Sequence, residues 1–111
     1  MPNEKRLAML EQLAKKEGAD SFTFYALALE YQAFGRVQDA FEAFRNLRAK
    51  DPDYVPMYLM CGTMLLAAGR HGEGREWLES GILKAREKGD AHAQSELEDA
   101  LEKVPPPPSL A

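Results

Sequence analysis

Shifting the sequence against itself by 34 residues aligns Ala33 with Ala67, Gly35 with Gly69, Arg36 with Arg70, Glu42 with Glu76 and Lys50 with Lys84. Chemically similar pairs fall in the same frame: Phe24 with Tyr58, Ala28 with Gly62, Asp39 with Glu73 and Phe44 with Leu78. A repeat of this length is one supersecondary unit that cannot bury its apolar face alone, so copies must stack on each other or on flanking elements. That excludes most folds open to a chain of 111 residues whose 45% apolar and 29% charged content is that of an ordinary globular protein. The length is that of one domain and is enough to bury a core.

The repeated units read as helical. No stretch shows the period-2 alternation or β-branched enrichment of strands, and Gly and Pro fall between segments of helical periodicity. A first helix is expected from about Asn3 to Lys16, with Leu7, Leu10, Leu13 and Ala14 on one face, ending at Gly18. A second opens at Asp20 and Ser21, either able to cap free N–H groups, and runs to Phe34 before Gly35. The third, Val37 to Lys50, places Val37, Ala40, Phe41, Phe44 and Leu47 on one stripe, and Asp51-Pro52-Asp53 breaks it. The fourth is expected to follow an Asp53 cap, to tolerate Pro56 in its first turn and to end at Gly69. The fifth spans about Glu73 to Glu87. The sixth, about Ala91 to Lys103, carries a narrow stripe of Ala93, Leu97, Ala100, Leu101 and Val104. Pro105 to Pro108 end it and lead into a tail expected to be disordered.

A period of 34 with two helices per unit resembles the tetratricopeptide repeat family. That family's pattern has an aromatic, Leu-Gly and Tyr on the first helix, then Ala, Phe and a closing Pro on the second. Residues 21–54 supply Phe24, Leu27, Ala28, Tyr31, Gly35, Ala40, Phe44 and Pro52. Residues 55–88 supply Tyr58, Cys61, Gly62, Leu65, Gly69, Gly74 and Leu78, without the closing Pro. The resemblance implies an all-α fold, a right-handed α-solenoid of antiparallel helix pairs with about six helices. It would form one domain over residues 3–104, with a leading half-repeat helix (3–20), repeats at 21–54 and 55–88, a capping helix (89–104) and a tail (105–111). In physical terms, Ala28, Ala40, Gly62 and Gly74 mark close approach of two helices, while Phe24, Tyr31, Phe44 and Tyr58 fill the space between them.

In this family the first helix of each repeat lines a concave groove. The resemblance puts Phe22, Tyr25, Leu29, Gln32 and Ala33 there in one copy, and Pro56, Leu59, Thr63, Leu66 and Ala67 in the other. Phe22, Tyr25, Leu29, Gln32, Leu59, Thr63 and Leu66 are the expected partner-binding residues, with Phe22, Tyr25, Leu29, Leu59 and Leu66 as apolar anchors. A second apolar stripe beside the packing stripe needs a burial partner. The chain's own C-terminal helix or tail, a second copy in a homodimer, or an amphipathic helix or apolar peptide of a partner would each supply one. The expected function is a non-enzymatic protein-interaction module or adaptor. The alternative is a structural self-assembling protein whose groove is a homo-oligomer interface. Some family members clamp a chaperone's C-terminal carboxylate with Lys, Asn and Arg, but the corresponding positions here carry Tyr25, Leu29, Pro56 and Met60, so that function is not expected.

Other chemistry is sparse. With 14 basic against 18 acidic side chains and a formal net charge of −4, a nucleic-acid or anionic-membrane binder is not expected. The most apolar run, Met57 to Ala68, is short of the roughly 20 residues that cross a bilayer, and no secretory h-region follows Met1. One cysteine makes no internal disulfide, which fits a cytoplasmic location. Cys61 occupies a packing position and reads as a small buried apolar residue. His71, placed in the turn before the fifth helix, and His92 have no second ligand at metal spacing. The Gly69-to-Gly74 cluster follows no strand and so is no phosphate loop. Lys84, Arg86 and Lys88 suit a helix C-terminus. Met57, Met60 and Met64 suit either an adaptable surface or core filling. No catalytic residue, metal, cofactor or small-molecule substrate is expected.

Overall fold

The computed structural model describes residues 2–106. They form six helices, α1 (Glu4–Ala14), α2 (Ser21–Ala33), α3 (Val37–Lys50), α4 (Pro56–Ala67), α5 (His71–Glu87) and α6 (Ala91–Glu102), with no strand among the described residues. The architecture is all-α, as expected. The described residues divide into two compact units that meet in sequence between Tyr54 and Val55. Of the proline run and tail, only Pro105 and Pro106 fall among the described residues.

The periodicity of the sequence becomes a periodicity of helix ends. Gly35, Gly69 and Gly89 take φ of 75°, 81° and 68°, a left-handed conformation that costs glycine little because it has no Cβ. The N–H of the following residue then reaches back into the last helical turn: Arg36 to the Tyr31 carbonyl (2.9 Å), Arg70 to Leu65 (2.8 Å) and Asp90 to Ala85 (2.9 Å). At the first two turns an arginine opens the next helix and pairs with the acid three residues on. Arg36 Nε lies 2.8 Å from Asp39 Oδ2, and Arg70 Nε lies 2.7 Å from Glu73 Oε1.

In the first unit α2 packs against both α1 and α3. Asn3 Oδ1 caps α1 by accepting from the Arg6 N–H (2.9 Å), and Asp20 Oδ1 caps α2 through the Thr23 N–H (2.8 Å). Ala28, Ala40, Phe44 and Leu47 are fully buried, so the small pair lets the helices close while Phe44 and Leu47 fill the seam. The Ser21 hydroxyl donates to Asp51 Oδ2 (2.7 Å), tying the start of α2 to the end of α3. A second tie joins α1 to α2. The buried carboxylate of Glu30 accepts from the Asn3 N–H (3.0 Å) and from Arg6 Nε (2.9 Å).

In the second unit α5 packs between α4 and α6, and α6 also touches α4. Tyr58, Cys61, Leu65, Leu78 and Leu97 are buried almost completely, and the Tyr58 and Trp77 rings stand 5.8 Å apart. Two boundaries differ from expectation. Helix α4 is not capped by Asp53: Val55 is its N-cap, without a side-chain bond, and Pro56 opens the helix where its missing N–H costs nothing. Helix α5 begins at His71, not at Glu73, because the Arg70–Glu73 pair braces a first turn that contains Gly72. His71 is therefore a helical residue and not part of a turn.

Candidate partner-binding site

The outer face of α2 carries Phe22, Tyr25 and Leu29 at i, i+3 and i+7, the spacing that places side chains along one side of a helix. Phe22 is 66% exposed, the largest value among the large apolar side chains of the described residues. Tyr25 is half-buried, its ring 5.2 Å from Tyr54 and 6.5 Å from Phe44. That burial, and then the neighbouring Tyr54, raises its phenol pKa above the ordinary value. Leu29 is half-buried. Gln32, one turn further on, is also half-buried, and its Oε1 is the one buried side-chain acceptor without a hydrogen-bond partner among the described residues.

On α4, Leu59, Thr63 and Leu66 are all half-buried. The Thr63 hydroxyl is turned back onto its own helix, donating to the Leu59 carbonyl at 2.8 Å. Leu66 lies against α5: a Cβ built on Gly74 would come within 2.8 Å of Leu66 Cδ2. The glycine thus lets a leucine lie across the helix contact. Met57 and Met64 belong to the core, whereas Met60 is half-buried. Ala33, Pro56 and Ala67 are exposed.

The apolar surplus is therefore smaller than the sequence suggests. Tyr25 and Leu66 are partly covered by their own unit, and Phe22 alone of the five expected anchors stands out. Two other large apolar side chains among the described residues are exposed, Met9 on α1 at 55% and Leu83 on α5 at 56%. Sequence reasoning also missed the Asn3–Arg6–Glu30 node, since no local pattern marks a pair 24 residues apart. No group of His, Cys, Asp and Glu able to hold a metal ion is present among the described residues, and no described helix is long and apolar enough to cross a membrane.

Helical hairpins repeated with one turn chemistry define an all-α helical-repeat protein. The family model for the tetratricopeptide repeat matches residues 31–97. A tetratricopeptide repeat domain protein from Salinibacter ruber, seen in a crystal structure, is 36% identical with a TM-score of 0.71, over 77% of this chain and 94% of that one. Its solution NMR structure gives 35% identity and a TM-score of 0.73 over 80% and 90%. PcrH from Pseudomonas aeruginosa, at 15% identity, shares the fold with a TM-score of 0.83 over 91% of this chain and 77% of that one. No curated protein matches significantly. The chain belongs to the tetratricopeptide repeat family. Repeats of this family generally mediate protein–protein interaction and are generally non-enzymatic.

Proposed function

We propose that this protein is an adaptor that takes an apolar or amphipathic helical segment of another protein on the outer faces of its first-of-pair helices. On α2 the contacts are Phe22, Tyr25, Leu29 and Gln32. On α4 they are Leu59, Thr63 and Leu66. The observation that carries the reading is Phe22, an aromatic side chain left 66% exposed at the start of an apolar stripe. Covering such a ring removes apolar area worth about 25 cal/mol per Å², and it costs little entropy because Phe has only two side-chain torsions. Tyr25 and Leu29 extend the stripe on a rigid helix, so the segment meets a preformed surface.

The experiment is capture by the immobilised protein from extract of the source cells, compared with Phe22→Asp. An exposed position can change without unfolding the chain, so helicity by circular dichroism should match that of the wild type while capture is lost. Equal capture by both proteins would remove α2 from the site. Sedimentation velocity is the second measurement. A dimer that Phe22→Asp dissolves would instead make this face a contact between two copies.

A further inference from the structure

The first unit holds a second concave feature. Helices α1, α2 and α3 meet around an open cleft of about 460 Å³, within the range of sites that hold peptide side chains or small ligands. From α2 come Phe24, Leu27 and Tyr31, giving the cleft an aromatic and aliphatic wall. Phe24 and Tyr31 are packing residues of the repeat, yet both are only half-buried. The polar lining is unbalanced. Glu11, Asp39 and Glu42 contribute three carboxylates, and Lys15 is the only cation in the lining.

The carboxylates differ in how far they are already satisfied. Asp39 is held by Arg36, whose guanidinium also lies 4.7 Å from the Tyr31 ring centre. Glu11 accepts from the Tyr31 hydroxyl at 2.6 Å, and Glu42 accepts only a long 3.3 Å bond from Gln38. Neither Glu11 nor Glu42 has an ion-pair partner among the described residues. Burial first, and then the hydrogen bond and charge of Glu11, push the Tyr31 pKa up to about 12 against the opposing charge of Arg36.

We infer that this cleft docks a lysine- or arginine-bearing segment of a partner protein, the aliphatic stem of the side chain lying against Phe24, Leu27 and Tyr31 and the cation reaching Glu11 and Glu42. A long cationic side chain fits both halves of the lining, because its methylenes cover apolar surface while its head stays at the wet, charged rim. An anionic segment would face three carboxylates, and a purely apolar one would bury Glu11 and Glu42 with no cation to balance them. The cleft uses different residues from the Phe22 face, so the inference stands independently of that site.

The test is NMR titration of the ¹⁵N-labelled full chain with an acetylated Leu/Lys hexapeptide amide, beside a matched peptide with Glu replacing Lys. Binding of the Lys peptide should shift the amides around Glu11, Tyr31 and Glu42. Glu42→Lys, which makes an attractive rim charge repulsive, should weaken it about tenfold. Asn46→Trp, filling the cleft from an exposed position, should weaken it too, whereas Phe22→Asp should leave it unchanged. Equal binding of the Glu peptide, shifts centred elsewhere, an unaffected Glu42→Lys protein, or no saturable shift at millimolar peptide would each overturn the inference.

Discussion

Replacing Gly81 with alanine sets two effects against each other. In the interior of α5 alanine is the better helix former by about 1 kcal/mol. A methyl at this position, however, would stand 2.5 Å from Tyr58 Cβ and 3.0 Å from Leu97 Cδ2, where ordinary contact begins at 3.4 Å. Tyr58 Cβ is fixed to the α4 backbone and cannot swing aside, so α4 and α5 must part locally by about 0.9 Å. A gap of that order forfeits between about a quarter and a half of the dispersion energy of each atom pair across the seam. Tyr58, Cys61 and Leu78 all lie in that seam at 1% exposure or less. Overpacking of this kind costs about 3 kcal/mol at the upper end of its usual range, which leaves a net loss of about 2 kcal/mol. For a unit of this size that is a fall in Tm of about 10 °C. Gly72→Ala in the same helix is the control: nothing lies within 4 Å of its added methyl, and a gain of about 0.5 kcal/mol is expected from propensity. Gly62→Ala should fall between the two, since its clashes are with Cδ2 and Cγ of Leu78 at 2.7 and 2.8 Å, side-chain atoms that can shift further than the Cβ of Tyr58. The assay is thermal melting followed by far-UV circular dichroism. A Gly81→Ala protein that melts at or above the wild-type temperature would refute the close α4–α5 approach.

Three further outcomes are expected. The Arg6 side chain and then the Asn3 N–H hold the Glu30 pKa below its ordinary value of 4.5. A carboxylate whose folded pKa is depressed stabilises fully above its unfolded pKa, and the stabilisation is lost as pH falls through the lower folded value. The wild type should therefore melt earlier in mild acid than near neutrality, and Glu30→Gln should flatten that slope apart from the part due to Asp20, which Thr23 depresses in the same way; an unchanged slope would contradict the node. Cys61 is fully buried, so a thiol reagent should label it at the rate of unfolding, and labelling at the rate of a free thiol would show that α4 is open. Trp77, 4% exposed against Tyr58, should cost about 3–5 kcal/mol on truncation to alanine, and a loss under about 1 kcal/mol in denaturant titration would show that its ring is not core.

Much of the fold is legible because one turn chemistry recurs. The Gly-Arg pairs at 35–36 and 69–70 announce both helix ends, and α3 spans Val37 to Lys50 as its apolar stripe indicates. Where Gly and Pro crowd together the signal fails in two ways. His71 and Gly72 read as turn residues although both are helical, and Asp53 reads as a cap although Val55 and Pro56 open α4. At one end the Arg70–Glu73 pair braces the turn into a helix, and at the other the ring φ of proline is already helical. The site is less legible than the fold. Helical spacing shows that Tyr25 and Leu66 lie off the main packing stripe, but not that Tyr54 covers one and that Gly74 brings α5 under the other. The cleft between α1, α2 and α3 has no sequence signature, since its carboxylates come from two helices and look like solvated surface.

Site-specific photo-cross-linking from position 22 tests the central claim most directly. With p-benzoylphenylalanine in place of Phe22, irradiation in extract of the source cells followed by mass spectrometry should give a covalent product with another protein. The linked peptide should carry apolar residues at helical spacing. A product made only of two copies of this chain, or no product at all, would contradict the account.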